Sequence, residues 1–230
     1  MDADTTSSLF KNLVVAILFG IAFAYIESAV VVYLRAIFYP DGFTFPLQMF
    51  DITALGRRLT LTEIGREAAT LVLIVTAAWL FGRSRQERGA YVLVIFAVWD
   101  IFYYVWLKVL LNWPASIMDW DILYLIPYVW ASAVLCPVLV ALAMFAFGAA
   151  ILWRSACGRP LSIKASDWLG WTVASVVLVI AFCLGGRRIT QTDYSTAFSW
   201  PLFAVGLGLG LAVCVQVLAR GQRPGRSEAS

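Results

Sequence analysis

The sequence predicts an all-α fold, a polytopic transmembrane helix bundle of about six spans with both termini cytoplasmic. Three observations predict it. Hydrophobic residues make up 62% of the 230-residue chain and charged residues 13%, with a mean hydropathy of +0.84. A soluble domain carries about 45–50% apolar and roughly 25% charged residues. Apolar runs long enough for a bilayer core of ~30 Å recur six times, at roughly 12–36, 63–82, 89–112, 122–151, 168–186 and 199–219. The cations then alternate between the connecting segments, and that alternation sets the orientation.

Taken in order, residues 1–11 form a polar cytoplasmic N-terminus, MDADTTSSLFK, with one lysine. The apolar run after it is too long for a signal peptide, so it is expected to remain as span one. Arg83, Arg85 and Arg88 lie between spans two and three. Arg154, Arg159 and Lys164 lie between spans four and five, in a basic loop over 152–167. Arg220, Arg223 and Arg226 occupy a basic tail over 220–230. With Lys11, that is ten of the seventeen basic residues on one side, against Arg57, Arg58, Arg187 and Arg188 on the other. The positive-inside rule makes the richer side cytoplasmic. Trp79, Trp153, Trp168 and Trp171 fall at inner span ends and Trp113, Trp120 and Trp200 at outer ends, the belt expected at both interfaces.

One boundary has two placements. Trp113 to Pro127 either opens span four or forms a separate segment at the outer interface. Pro127 suits a first helical turn, and 128–151 alone is long enough to cross, so an interfacial segment followed by the span is expected. The division is then a charged four-span bundle over 12–151 and a two-span scaffold over 168–219. In span six Gly206 and Gly210 form a GxxxG suited to close helix contact, within the chain or with a partner.

A further set of charges sits inside the spans. Orientation places Glu27, Arg35, Glu63, Arg66, Glu67, Asp100 and Lys108, with Asp119 and Asp121 of the following loop, in one layer of the outer half. That layer holds six carboxylates against three cations. Ionisable groups in hydrocarbon are costly and mark a site by default. Glu63 and Glu67 share a helix face, which Thr70 extends. Glu27 lies three residues after Ala24 in the small-residue stripe Gly20, Ala24, Ser28 and so is expected to face the bundle. Asp100 has Tyr103 and Tyr104 one turn on, where a phenol can donate to it. The expected site is a polar cavity bounded by Glu27, Glu67, Asp100 and Asp121, supported by Glu63, Arg66, Tyr104, Lys108 and Arg35. Each has a duller reading: Thr60 and Glu63 as a capping box, Arg66 paired with Glu63, Asp119 and Asp121 as caps or loop charges, Lys108 and Arg35 snorkelling to the surface. A structural ion pair competes with a working site for Glu27, Glu67 and Asp100.

The absence of histidine excludes imidazole-ligated haem, zinc and copper and the Ser-His and Cys-His hydrolases. Cys136, Cys157, Cys183 and Cys214 are scattered, without a CxxC pair. No cofactor is evident, although a hard cation bound through oxygen suits the carboxylates.

The segments YIESAVVVYLR (25–35), GREAAT (65–70), WDIFYYVWLK (99–108) and DWDILYLIP (119–127) resemble a family of bacterial multi-pass membrane proteins with no assigned activity. The resemblance covers roughly residues 20–140. It implies an inner-membrane protein and brings no substrate or mechanism.

Three functions follow as expectations. The first is binding or transport of a cation or proton through the carboxylate-rich cavity. The second is an accessory or assembly subunit of a larger membrane complex. The third is a membrane enzyme on a lipid head group with a carboxylate-bound divalent metal, weakened by the lack of any catalytic signature. Expected partners are the lipid bilayer and a membrane-complex partner or second copy meeting span six. Nucleic acid is not among them.

Overall fold

In the computed structural model the described residues are 3–47, 54–126 and 128–220. Pro127, Arg223 and Arg226 lie outside them. The helices are α1 (Ala3–Phe38), α2 (Ala54–Phe81), α3 (Arg85–Leu111), α4 (Leu135–Ala156), α5 (Ala165–Gly186) and α6 (Trp200–Arg220). All six are long and apolar enough to cross a membrane. The helix bundle is therefore as the sequence predicts, with three differences in its boundaries.

The first is that α1 begins at Ala3 instead of near residue 12. Its 36 residues make a rod of about 54 Å, well beyond the ~30 Å of hydrocarbon. The second is that α2 begins at Ala54, so Thr60 lies inside the helix and no capping box forms with Glu63. The Thr60 hydroxyl instead donates to the Gly56 carbonyl one turn back, at 2.9 Å. The third is that span four begins at Leu135, because the residues before it form a hairpin of β1 (Trp120–Tyr124) and β2 (Trp130–Ala133). Trp120, Ile122 and Tyr124 alternate along β1, the period-2 pattern of aromatic and β-branched residues that suits a strand. Trp120 stands opposite Ala133, Asp121 opposite Ser132 and Ile122 opposite Ala131, antiparallel. A segment separate from span four is thus present, as expected, but it runs on to Ala133 and takes residues 130–133 out of the expected span.

α3 is the hub, packing against α1, α2 and α4, while α5 pairs with α6 and carries the hairpin on its end. Lipid is as apolar as leucine, so helices in a bilayer associate through close packing of small residues. The Gly20, Ala24, Ser28 stripe faces α3: a Cβ added at Gly20 would lie 2.9 Å from a Val98 methyl. Ser28 donates to the carbonyls of Ala24 and Tyr103, at 2.8 and 3.1 Å. Gly206 and Gly210 face α5 within the same chain, where a Cβ would meet Leu178 at 2.9 Å and Ala174 at 3.6 Å. That face is occupied by the neighbouring helix.

Around the hairpin, Trp120 meets Phe45, Tyr194 and Phe198 with ring centroids 5.1 to 6.0 Å apart, and Trp130 stacks on Phe182 at 5.8 Å. The Leu47 amide donates to the Ile189 carbonyl at 2.7 Å, joining the segment after α1 to the segment after α5. At the opposite, arginine-rich end, Asp167 accepts the Lys164 amide at 2.8 Å and pairs with Arg220, fastening the start of α5 to the end of α6.

β2 lies directly on the last residues of α5. A Cβ built at Gly185 would sit 2.0 Å from the Ala131 carbonyl oxygen, and one at Gly186 would sit 1.9 Å from that of Val129. Neither carbonyl has anywhere to go, since overpacking forces backbone shifts of about 1–3 kcal/mol. Gly185→Ala is expected to lower the melting temperature of the purified protein by several degrees. Gly208→Ala, where a Cβ meets nothing within 4 Å, is expected to leave it unchanged or raise it. Equal melting temperatures for the two variants would show that the hairpin does not rest on α5.

Candidate functional site

Three helix ends and the hairpin enclose a cavity of about 500 Å³. α1 contributes a face spaced by three and four residues, Glu27, Val31, Leu34, Arg35 and Phe38. α2 adds Leu59, Glu63, Arg66, Glu67 and Thr70, and α3 adds Trp99, Asp100, Tyr103 and Tyr104. The hairpin closes the space from Asp121 to Leu125. All four expected site residues therefore line one cavity, together with Glu63, Arg66, Tyr104 and Arg35 of the supporting set. Lys108 does not. Its ammonium donates to the carbonyls of Asn112 and Pro114 at 3.3 and 3.0 Å, closing the C-terminus of α3. Asp119 is also outside; its carboxylate accepts the amides of Ala115 and Ser116, at 2.7 and 3.2 Å, and shapes the turn before β1.

The charged groups are fastened in a definite pattern. Arg66 bridges two helices: its Nε donates to Glu63 one turn back at 2.6 Å, and its Nη1 pairs with Glu27 of α1. Glu67 spends its charge on the hairpin. Both its carboxylate oxygens accept the Leu125 amide, at 3.1 and 3.0 Å, while Tyr124 donates its hydroxyl to the Glu67 carbonyl at 2.8 Å. Non-helical backbone near a bilayer must find such partners, because no water replaces them in hydrocarbon.

Arg35 does not snorkel. It pairs with Asp121 of β1 at 3.1 Å, the two side chains being 9% and 3% exposed. Its guanidinium carbon lies 3.9 Å from the ring centroids of both Phe43 and Trp113. Asp121 also accepts the Tyr103 hydroxyl at 3.3 Å and its neighbour's amide at 3.0 Å. This is an internal version of an aromatic cation cage closed by a carboxylate.

No family model, curated protein or solved structure matches this chain. What the cavity is built to hold is therefore read from its own chemistry. Five carboxylates line it (Glu27, Glu63, Glu67, Asp100 and Asp121) against Arg35, Arg57 and Arg66, a formal excess of two negative charges. Asp100 is the one carboxylate of the five with no ion pair or hydrogen bond to another described residue. Tyr103, from which a bond to Asp100 was expected, turns to Asp121 instead. Tyr104, 7% exposed, has a hydroxyl with no protein partner among the described residues, and it lines the same space. Among the described residues no three of the acidic or thiol side chains converge as a metal site.

Sequence reasoning missed Phe43 and Trp113 as the walls around Arg35, and Tyr124 and the Leu125 amide as partners of Glu67. The available signal was the alternation in WDILY, which marks a strand that exposes backbone donors.

Breaking a buried pair at one end leaves the other charge uncompensated, which costs about 3–5 kcal/mol. Arg35→Met is expected to destabilise the protein by that order in chemical unfolding, and Arg35→Met with Asp121→Leu to recover much of it. A double variant worse than the single would contradict the pairing. Burial pushes the Asp121 carboxyl up to about 6, against the opposing pull of Arg35 and of the hydrogen bonds from Tyr103 and Ile122. A carboxyl raised above its usual value of about 3.9 binds its proton more tightly folded than unfolded, so its stabilisation is complete below about pH 4. That stabilisation is lost as pH rises through about 6. Melting temperatures across this window are expected to fall more for the native protein than for Asp121→Asn. Parallel slopes would refute it.

Proposed function

We propose that this six-span membrane protein is a binding protein or carrier for an organic cation, held in the cavity with Asp100 as its counter-charge. One observation carries the reading: Asp100 and the Tyr104 hydroxyl face a 500 Å³ space without protein partners, amid an excess of carboxylate. A carboxylate in low dielectric needs compensation, by a cation or a proton. The volume lies in the range of small-molecule sites, about 300–1,000 Å³, and far exceeds a bare ion. Trp99 and Tyr104 bring aromatic rings to the lining, and such rings attract ammonium groups. A divalent metal fits less well, since Glu27, Glu63, Glu67 and Asp121 already serve arginines or backbone amides. By the charge asymmetry of the connecting segments, the cavity opens away from the cytoplasm.

The test is thermal stability of the purified protein with tetramethylammonium, primary amines, Na⁺, Mg²⁺ and Ca²⁺, alone and in Asp100→Asn. A ligand that binds only the folded state raises the melting temperature by mass action. A rise with organic cations that is absent in Asp100→Asn is expected. A rise with divalent metals alone would overturn the organic-cation reading. No rise with any cation would overturn cation binding in this cavity altogether.

A further inference from the structure

We infer that the occupant of this cavity is an amphiphile, an organic cation with a hydrocarbon chain, whose chain leaves the cavity between α1 and α2. The inference rests on the cation-binding reading and names the ligand class. Three features carry it together.

The first is the division of the walls. The polar groups Glu27, Arg66, Thr70 and Asp100 form the floor. Glu27 lies eleven residues, about 16 Å, from the end of α1 at Phe38. Between that floor and the helix ends, Val31, Leu34 and Phe38 on α1 and Leu59 and Leu61 on α2 give the walls apolar surface. They stand beside Arg57 and beside Arg35, Glu63 and Thr60, whose polar atoms are engaged by Asp121, Arg66 and the Gly56 carbonyl. A small hydrophilic cation has no use for such a wall, whereas a methylene chain gains about 0.8 kcal/mol for each CH₂ it buries.

The second is continuity with the lipid-facing surface. Leu61 lines the cavity and is still 58% exposed, on a helix that spans the membrane. Leu61 stands in the first two turns of that span. α2 packs chiefly on α3 and meets α1 only sparingly, so the seam between α1 and α2 is thinly packed. The third is charge complementarity: the acidic floor takes an ammonium head, and Tyr104, more than nine-tenths buried, offers it an unused hydroxyl.

The experiment compares tetramethylammonium with octyltrimethylammonium, measured by thermal shift on the full chain in micelles of a neutral detergent. The native protein, Leu61→Trp and Asp100→Asn are taken in parallel. Leu61 is exposed, so tryptophan is accommodated there without disturbing the core, and its bulk narrows the exit. The chain-bearing cation is expected to bind at least about tenfold more tightly than the tail-less one, from the buried methylenes. Leu61→Trp is expected to abolish that gain while leaving tetramethylammonium unaffected, and Asp100→Asn to abolish both. Equal affinity for the two cations overturns the amphiphile and leaves cation binding standing. A gain that persists in Leu61→Trp assigns it to partition into the micelle and also overturns the exit. Failure of both cations to bind the native protein overturns the cation reading with it.

Discussion

The site depends on one buried ion pair, Arg35 with Asp121. A guanidinium and a carboxylate removed from water are each expensive, and their attraction repays the cost only with good geometry and full hydrogen bonding. Here Phe43 and Trp113 lie against the guanidinium, and Tyr103 and a backbone amide add their hydrogen bonds to the carboxylate. It holds β1 against the end of α1, so that the hairpin becomes a wall of the cavity. Without it, a two-stranded ribbon at a membrane surface has little reason to stay, since an isolated hairpin is marginal at best. Gly185 and Gly186 on α5 supply the opposing platform, flat enough for strand backbone to rest on helix backbone.

With the hairpin in place, the acidic residues of the layer divide by what satisfies them. Glu27 and Glu63 share Arg66, Glu67 holds a backbone amide, and Asp121 holds Arg35. Each of these four carboxylates thus has a partner within the protein. Asp100 stands apart because α3 presents it to open space. The same layer thus contains both scaffold and candidate chemistry, and only the partner of each carboxylate separates them.

The helices and the layer of charge were legible because both are properties of spacing. Apolar length predicts a span, and the positions of Glu27, Glu67 and Asp100 along their spans predict one depth. The pairing was not legible. Whether Arg35 meets a carboxylate or reaches for water depends on residues 86 positions away in sequence. The hairpin was half legible: Asp121 and Pro127 set residues 113–127 apart from span four, but Trp130–Ala133 runs into Leu135 with no charge or proline between them, and the pairing of two strands leaves no local signal. The capping role given to Glu63 failed because α2 starts before the polar residues that seemed to open it.

The three fasteners around the cavity form a closed circuit. Arg35 ties α1 to the hairpin, Glu67 ties the hairpin to α2, and Arg66 ties α2 back to α1. A triangle of struts does not shear: no side can shift unless a joint opens. The frame therefore fixes the spacing of the cavity walls, with any load on one joint shared by the other two. For the proposed occupant, a frame already assembled would remove the penalty of populating a rare conformation and leave encounter to set the speed of capture.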